Sequence, residues 1–109
     1  MATYIMLTRL SHEALKSPSS LEQLEREVMA RIRSECPGVK WNASYVVLGP
    51  YDYLDIFTAP DNEVATKVAT VIRTFGHAVT EIWPATDWDR FKELVRNMPP
   101  AASTSAASR

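Results

Sequence analysis

VKWNASYVVLGPYDYLDIFT, residues 39–58, is the stretch that decides the fold. Its two ends, 39–48 and 53–58, are rich in β-branched and aromatic residues. Between them stands Gly49-Pro50-Tyr51-Asp52. Proline presets φ for a turn, and aspartate can bond the backbone two residues on. The segment therefore reads as a hairpin of two antiparallel strands. Its register stays open, and a slip of one residue would swap every side chain between faces.

Working outward, Ala59-Pro60 stops the second strand and Asp61 caps a helix with the stripe Val64, Val68, Val71, Ile72 and Phe75. Gly76 is its expected left-handed stop. On the other side, Leu21, Leu24, Val28 and Ile32 form the stripe of an earlier helix, with Glu22, Glu25, Arg26, Arg31 and Arg33 on its wet side. Ser17-Pro18 opens it and Cys36-Pro37-Gly38 ends it. Residues 3–9 (TYIMLTR) and 77–84 (HAVTEIWP) are two further strands. Residues 11–14 read as a brief helical turn. Thr86-Asp87-Trp88-Asp89 resembles a capping box with a shorter acid, leading a helix striped by Trp88, Phe91, Leu94, Val95 and Met98. The order is βαββαβ plus a last helix. This is one α+β domain over 1–98, with a small, polar tail over 99–109 expected to be disordered.

A formal charge of −1 leaves no basic field to hold nucleic acid or an anionic membrane. The opening residues lack the cationic and apolar regions of a secretion signal. Nor does any stretch approach the ~20 apolar residues of a membrane span. The single cysteine, Cys36, has no partner within the chain for a disulfide, which fits a reducing compartment. The expectation is a cytoplasmic protein with no nucleic-acid or membrane partner. Two histidines without metal-like spacing give no metal site and no cofactor.

A helix-backed sheet hides one face. Leu54 and Ile56 suit that face, which sends Tyr53, Asp55 and Phe57 to the other. Trp41 and Tyr45 share one side of their strand, and His77, Val79, Glu81 and Trp83 share one side of theirs, with Ile82 opposite. If these sets coincide, the free face is aromatic with embedded acids, and a second copy is its cheapest cover.

Gly49-Pro50-Tyr51-Asp52, with Leu48 before it and Ala59-Pro60-Asp61 after it, resembles the signature of the GYD domain family. The opening residues 4–10 (YIMLTRL) and 76–86 (GHAVTEIWPAT) are similar to that family too. The resemblance spans roughly residues 3–97. It implies a ferredoxin-like fold of the dimeric α+β barrel type, and it supplies no catalytic residues to carry over.

The candidate catalytic groups are Asp55, His77 and Glu81. The candidate ligand-binding residues are Trp41, Tyr45, Tyr53, Asp55, Phe57, Glu81 and Trp83. A mid-strand carboxylate is costly to bury alone, so Asp55 is either a general base or ligand anchor, or half of a structural pair. His77 titrates near neutrality, with exposure at a strand end as its plain alternative. Glu81 either anchors a polar group beside Trp83 or keeps an edge strand soluble. Tyr51 and Asp52 read as turn chemistry, and His12 and Glu13 as a surface turn. Three functions follow. The leading one is a homodimeric small-molecule binder with its cavity between sheet and dimer cover. The others are a cofactor-independent isomerase or oxygenase-like enzyme, and a structural or partner-binding module.

Overall fold

The computed structural model describes residues 1–11, 18–76 and 78–100. The elements run β1 (Ala2–Leu10), α1 (Pro18–Glu35), β2 (Lys40–Val46), β3 (Tyr53–Ala59), α2 (Asn62–Phe75), β4 (Ala78–Ala85) and α3 (Trp88–Arg96). The expected order is borne out. His12, Glu13, Ser17, His77 and residues 101–109 lie outside the described residues, and the expectations for the 11–14 turn, the Ser17 cap, His77 and the tail lie there with them.

The strands form one antiparallel sheet in the order β2-β3-β1-β4. That is the ferredoxin-like arrangement, with two helices on one face. The sheet is open. Its edge strands β2 and β4 are separated by β3 and β1, so nothing closes it, and the barrel implied by the family resemblance is not formed. Among the described residues no helix is long and apolar enough to cross a membrane.

Local chemistry sets the helix ends. The Asp61 carboxylate accepts from the Val64 N–H at 3.0 Å, as the sequence implies. At α3 the cap is Asp87, one residue later than expected, and it accepts from the Asp89 N–H at 3.0 Å. Gly76 ends α2 with φ −92°, not in the left-handed region. It is glycine for another reason: a Cβ there would lie 2.5 Å from the Ile72 carbonyl oxygen. The left-handed position is Gly38, after α1, with φ +89°.

The core lies between the helices and the sheet. Tyr4, Met6, Phe57 and Ala59 meet Val28, Ile32, Ala65, Val68, Val71 and Ile72 there. Three rings cross the strands as one column. Phe57 stacks on Tyr4 with centroids 5.4 Å apart and on Trp41 at 5.1 Å with the planes only 8° apart. The Tyr4 hydroxyl donates to Asn62 Oδ1 at 2.6 Å and ties the column to the start of α2. α2 lies against β4 and β3, whereas α1 packs on α2.

Phe57 is 0% exposed, and Ile56 is half-buried on the opposite face. Phe57→Ala should therefore cost about 3–5 kcal/mol, and Ile56→Ala less than half as much. Urea denaturation of both variants measures the two costs. The reverse ranking would contradict the assignment of faces.

Candidate functional site

Pairing fixes which side chains share a face. Phe57 lies opposite Tyr4 and Trp41, Asp55 opposite Met6 and Ser44, and Tyr53 opposite Thr8. Met6 and Tyr4 pair in turn with Ile82 and Pro84 of β4. This is the face beneath the helices. Leu54 and Ile56 align with Leu7, Ile5, Glu81 and Trp83 on the other. The sequence expectation for β3 is thus inverted: Tyr53, Asp55 and Phe57 point to the helical side, and Leu54 and Ile56 to the open side.

Trp41 and Tyr45 do not share a side either. The β2 register shifts between Trp41 and Ala43, leaving Asn42 as an extra residue. This β-bulge puts Trp41 in step with Ser44 and Val46 and turns Tyr45 to the open face. For β4 the grouping holds, with Val79, Glu81 and Trp83 on the open face and Ile82 under the helices. The seven candidate ligand-binding residues therefore split. By register Trp41, Tyr53, Asp55 and Phe57 lie beneath the helices and Tyr45, Glu81 and Trp83 on the open side, while Tyr45 also borders the cavity beneath α1. They do not share one face of the sheet.

A cavity of about 400 Å³ opens between α1 and the sheet. Leu21, Leu24, Val28 and Met29 of α1 roof it, and Met6, Thr8, Trp41, Tyr53 and Asp55 floor it. Phe57 closes the core behind Trp41 and does not line it. Asp55 is 9% exposed. Its carboxyl accepts from the Trp41 indole N–H at 3.2 Å, a donor shared with Ser44 Oγ at 2.9 Å, and Ser44 is itself hydrogen-bonded to the carboxyl. Among the described residues it has no cationic partner. Burial consequently pushes the Asp55 carboxyl above the usual range; the Ser44 and Trp41 bonds oppose that rise and Glu25 at the cavity mouth adds to it. Burial likewise raises the Tyr53 phenol, with Asp52, Asp55 and Glu25 contributing. Thr8 is 4% exposed, and among the described residues its buried hydroxyl has no hydrogen-bond partner.

The Gly49-Pro50-Tyr51-Asp52 turn is structural, as read from the sequence. The Asp52 carboxylate accepts from the Leu10 N–H, and its own N–H donates to the Thr8 carbonyl, both at 2.8 Å. The turn thereby clamps the end of β1. On the open face Tyr51 donates to Glu81, whose other oxygen accepts from the Trp83 indole at 3.1 Å. Arg9 lies over the Tyr51 ring and donates to the Pro50 carbonyl at 2.9 Å. The bonds from Tyr51 and Trp83 hold the Glu81 carboxyl below its ordinary range, and the Glu81 bond raises the Tyr51 phenol. Glu81 is thus tied up by neighbours on the open face and lies on the opposite side of the sheet from Asp55. Among the described residues no cluster of three or more His, Cys, Asp or Glu is placed to hold a metal ion.

Thr8, Ser44, Glu25 and the methionines of the cavity are the residues that sequence reasoning missed. Glu25 follows Leu24 of the helical stripe, so its place at the cavity mouth is readable from periodicity. Ser44 becomes visible only once the bulge is known.

The Asp55 shift has a signed consequence. The folded chain keeps this proton at pH values where the unfolded chain has released it, so stability falls as pH rises from about 3.9 through the raised folded value. Asp55→Asn removes that loss. The variant's Tm advantage over the native chain should be smallest near pH ~3.5, grow across this window by on the order of a few degrees, and then level off. Paired thermal melts against pH measure it, and an advantage that shrinks with rising pH would contradict the buried, unpaired carboxyl.

Comparison with known proteins agrees with this architecture. FFRP-DM1 has 25% sequence identity and a TM-score of 0.51, covering 79% of this chain and 100% of its own. TTHA0845 from Thermus thermophilus gives 25% and 0.55, covering 80% and 95%. The hypothetical protein PHS023 from Pyrococcus horikoshii gives 25% and 0.50, covering 80% and 92%. No curated protein matches the chain. The GYD domain matches residues 4–95, nearly the whole described length. The chain belongs to the GYD domain family.

Proposed function

We propose that this protein binds a small molecule in the cavity between α1 and the sheet, and that it works as a self-associated oligomer. The observation that carries the first part is the cavity of about 400 Å³, mostly apolar, with the buried Asp55 carboxyl, Ser44 and Tyr53 in its lining. This is the makeup of a small-ligand pocket: apolar walls and a few fixed polar groups. A purely structural module would instead fill that space and pair the carboxyl.

Self-association follows from two unpartnered apolar surfaces. Tyr45, Val79 and Trp83 stand exposed on the open sheet face. α3 has no buried residue, and Trp88, Phe91, Leu94 and Val95 line it uncovered. Together they exceed the scattered exposure of ordinary monomers, and a second copy is the simplest cover. The open face then serves assembly, and the ligand lies on the other side of the sheet.

A second reading keeps the same cavity and gives it chemistry. A carboxyl raised by burial is what a proton-transfer enzyme needs from a general base or acid. On that reading Asp55→Asn abolishes turnover and leaves ligand binding in place.

Native mass spectrometry of the protein from its own host tests both parts of the main reading. The expected result is a multiple of the subunit mass carrying a bound small molecule. Leu24→Trp, which fills the cavity roof, should lose the bound mass and keep the assembly. Trp83→Lys, on the open face, should do the reverse. A bare monomer would contradict the proposal.

A further inference from the structure

We infer that the cavity under α1 selects a primary ammonium group carried on an apolar or aromatic body. This rests on reading that cavity as a ligand site, and it names the class of ligand.

The charges around the cavity are one-sided. Among the described residues that line it, the charged ones are Asp55 on the floor and Glu22 and Glu25 at the mouth, all acidic. The nearest basic groups of α1 are engaged elsewhere or lie outside the lining. Arg31 pairs with Glu35 at 3.0 Å and lies over the Phe75 ring at 3.8 Å. Among the described residues that line the cavity, no cation would receive an anionic ligand, which would enter against these carboxylates.

The hydrogen-bonding capacity points the same way. An ionised carboxylate offers about four lone-pair sites, and Trp41 and Ser44 use only part of them. The carboxylate therefore has room to accept. An ammonium brings three donors and no acceptor, so it meets those free lone pairs from within the cavity. It also supplies the positive charge that Asp55 lacks, the deficit that burial of a lone carboxylate creates. Charge-assisted bonds of this kind are roughly twice as strong as neutral ones.

The remaining walls describe the body of the ligand. Met6, Leu24, Val28 and Met29 are aliphatic or thioether, and Trp41 and Tyr53 present rings. Trp41 is held in place by its stack on Phe57, so it offers a fixed aromatic surface beside the carboxyl. A flat or branched apolar amine suits this enclosure, and a polyhydroxylated or phosphorylated one does not.

Isothermal titration calorimetry of the full chain with 2-phenylethylammonium, 2-phenylethanol and phenylacetate tests the inference. The three share a body and differ in the charge of the head. The expected order is ammonium at least about tenfold tighter than the alcohol, which corresponds to about 1.4 kcal/mol, with no measurable binding of the carboxylate. Asp55→Asn should erase the preference, bringing ammonium affinity down to that of the alcohol, with circular dichroism reporting that the variant folds. Should it fail to fold, Glu25→Gln, which removes an exposed carboxylate at the cavity mouth, should still narrow the gap between ammonium and alcohol. Equal binding of ammonium and alcohol by the native chain would overturn the cation selectivity and leave the cavity as a ligand site. Tighter binding of phenylacetate would overturn it as well. If none of the three binds, the cavity is not a ligand site and both readings fail.

Discussion

The structure depends on the placement of one carboxyl group. Asp55 sits in mid-strand between Leu54 and Ile56, and the pairing of β3 with β1 puts it under the helices, opposite Met6. A carboxylate in that position loses its water and, among the described residues, gains no cation in exchange. Two neutral donors, the Trp41 indole and the Ser44 hydroxyl, hold it instead. Both reach it because of the bulge at Asn42, which brings residues three apart in sequence onto the same side of β2. The ring column supports the same arrangement. Phe57, completely buried, anchors Trp41 from one side and Tyr4 from the other. Bulge, column and carboxyl form one unit, and the cavity beneath α1 is the space left beside it.

The division of labour between the two faces follows. The helical face carries the core and the cavity. The open face carries half-buried aliphatic side chains, with Glu81, Tyr51, Trp83 and Arg9 knitted together above them. That cluster is a surface network built on the GPYD turn, and it ties the hairpin to β4 across the sheet. Asp52 serves the same end by taking the Leu10 N–H at the end of β1. The family signature thus has a mechanical meaning in this chain: it locks the loop between β2 and β3 to the central strand. α3 adds an uncovered apolar stripe beyond the sheet and does not line the cavity.

The element order was legible from sequence alone, because helix stripes, the GPYD turn and the Asp61 cap are local signals. The faces of the central strands were not. On β3, Leu54 and Ile56 compete with Phe57 and Ala59, so hydrophobicity does not decide which set is inside. On β1, Ile5 and Leu7 compete with Tyr4 and Met6 in the same way. The weak signal is Thr58, the polar residue alternating with Phe57 and Ala59. Trp41 and Tyr45 were misgrouped for a different reason: a bulge leaves no mark in a hydrophobic pattern. The candidate site was therefore half readable. Trp41, Tyr53 and Asp55 were singled out, but on the wrong side of the sheet and in company with Glu81 and Trp83, which belong to the other. The barrel implied by the family resemblance failed for a topological reason, since the two edge strands are never brought together.

The central claim is that Asp55 is buried, bound to the Trp41 indole, and without a cation among the described residues. Titration of the Asp55 side-chain carboxyl by carbon-13 NMR, with the Trp41 indole N–H followed in the same samples, tests it most directly. The account predicts a midpoint above the usual aspartate value of about 3.9, with the indole resonance moving at that same midpoint. An ordinary or lowered midpoint with an indole resonance that does not respond would place the carboxyl in water or against a cation, and would contradict the account.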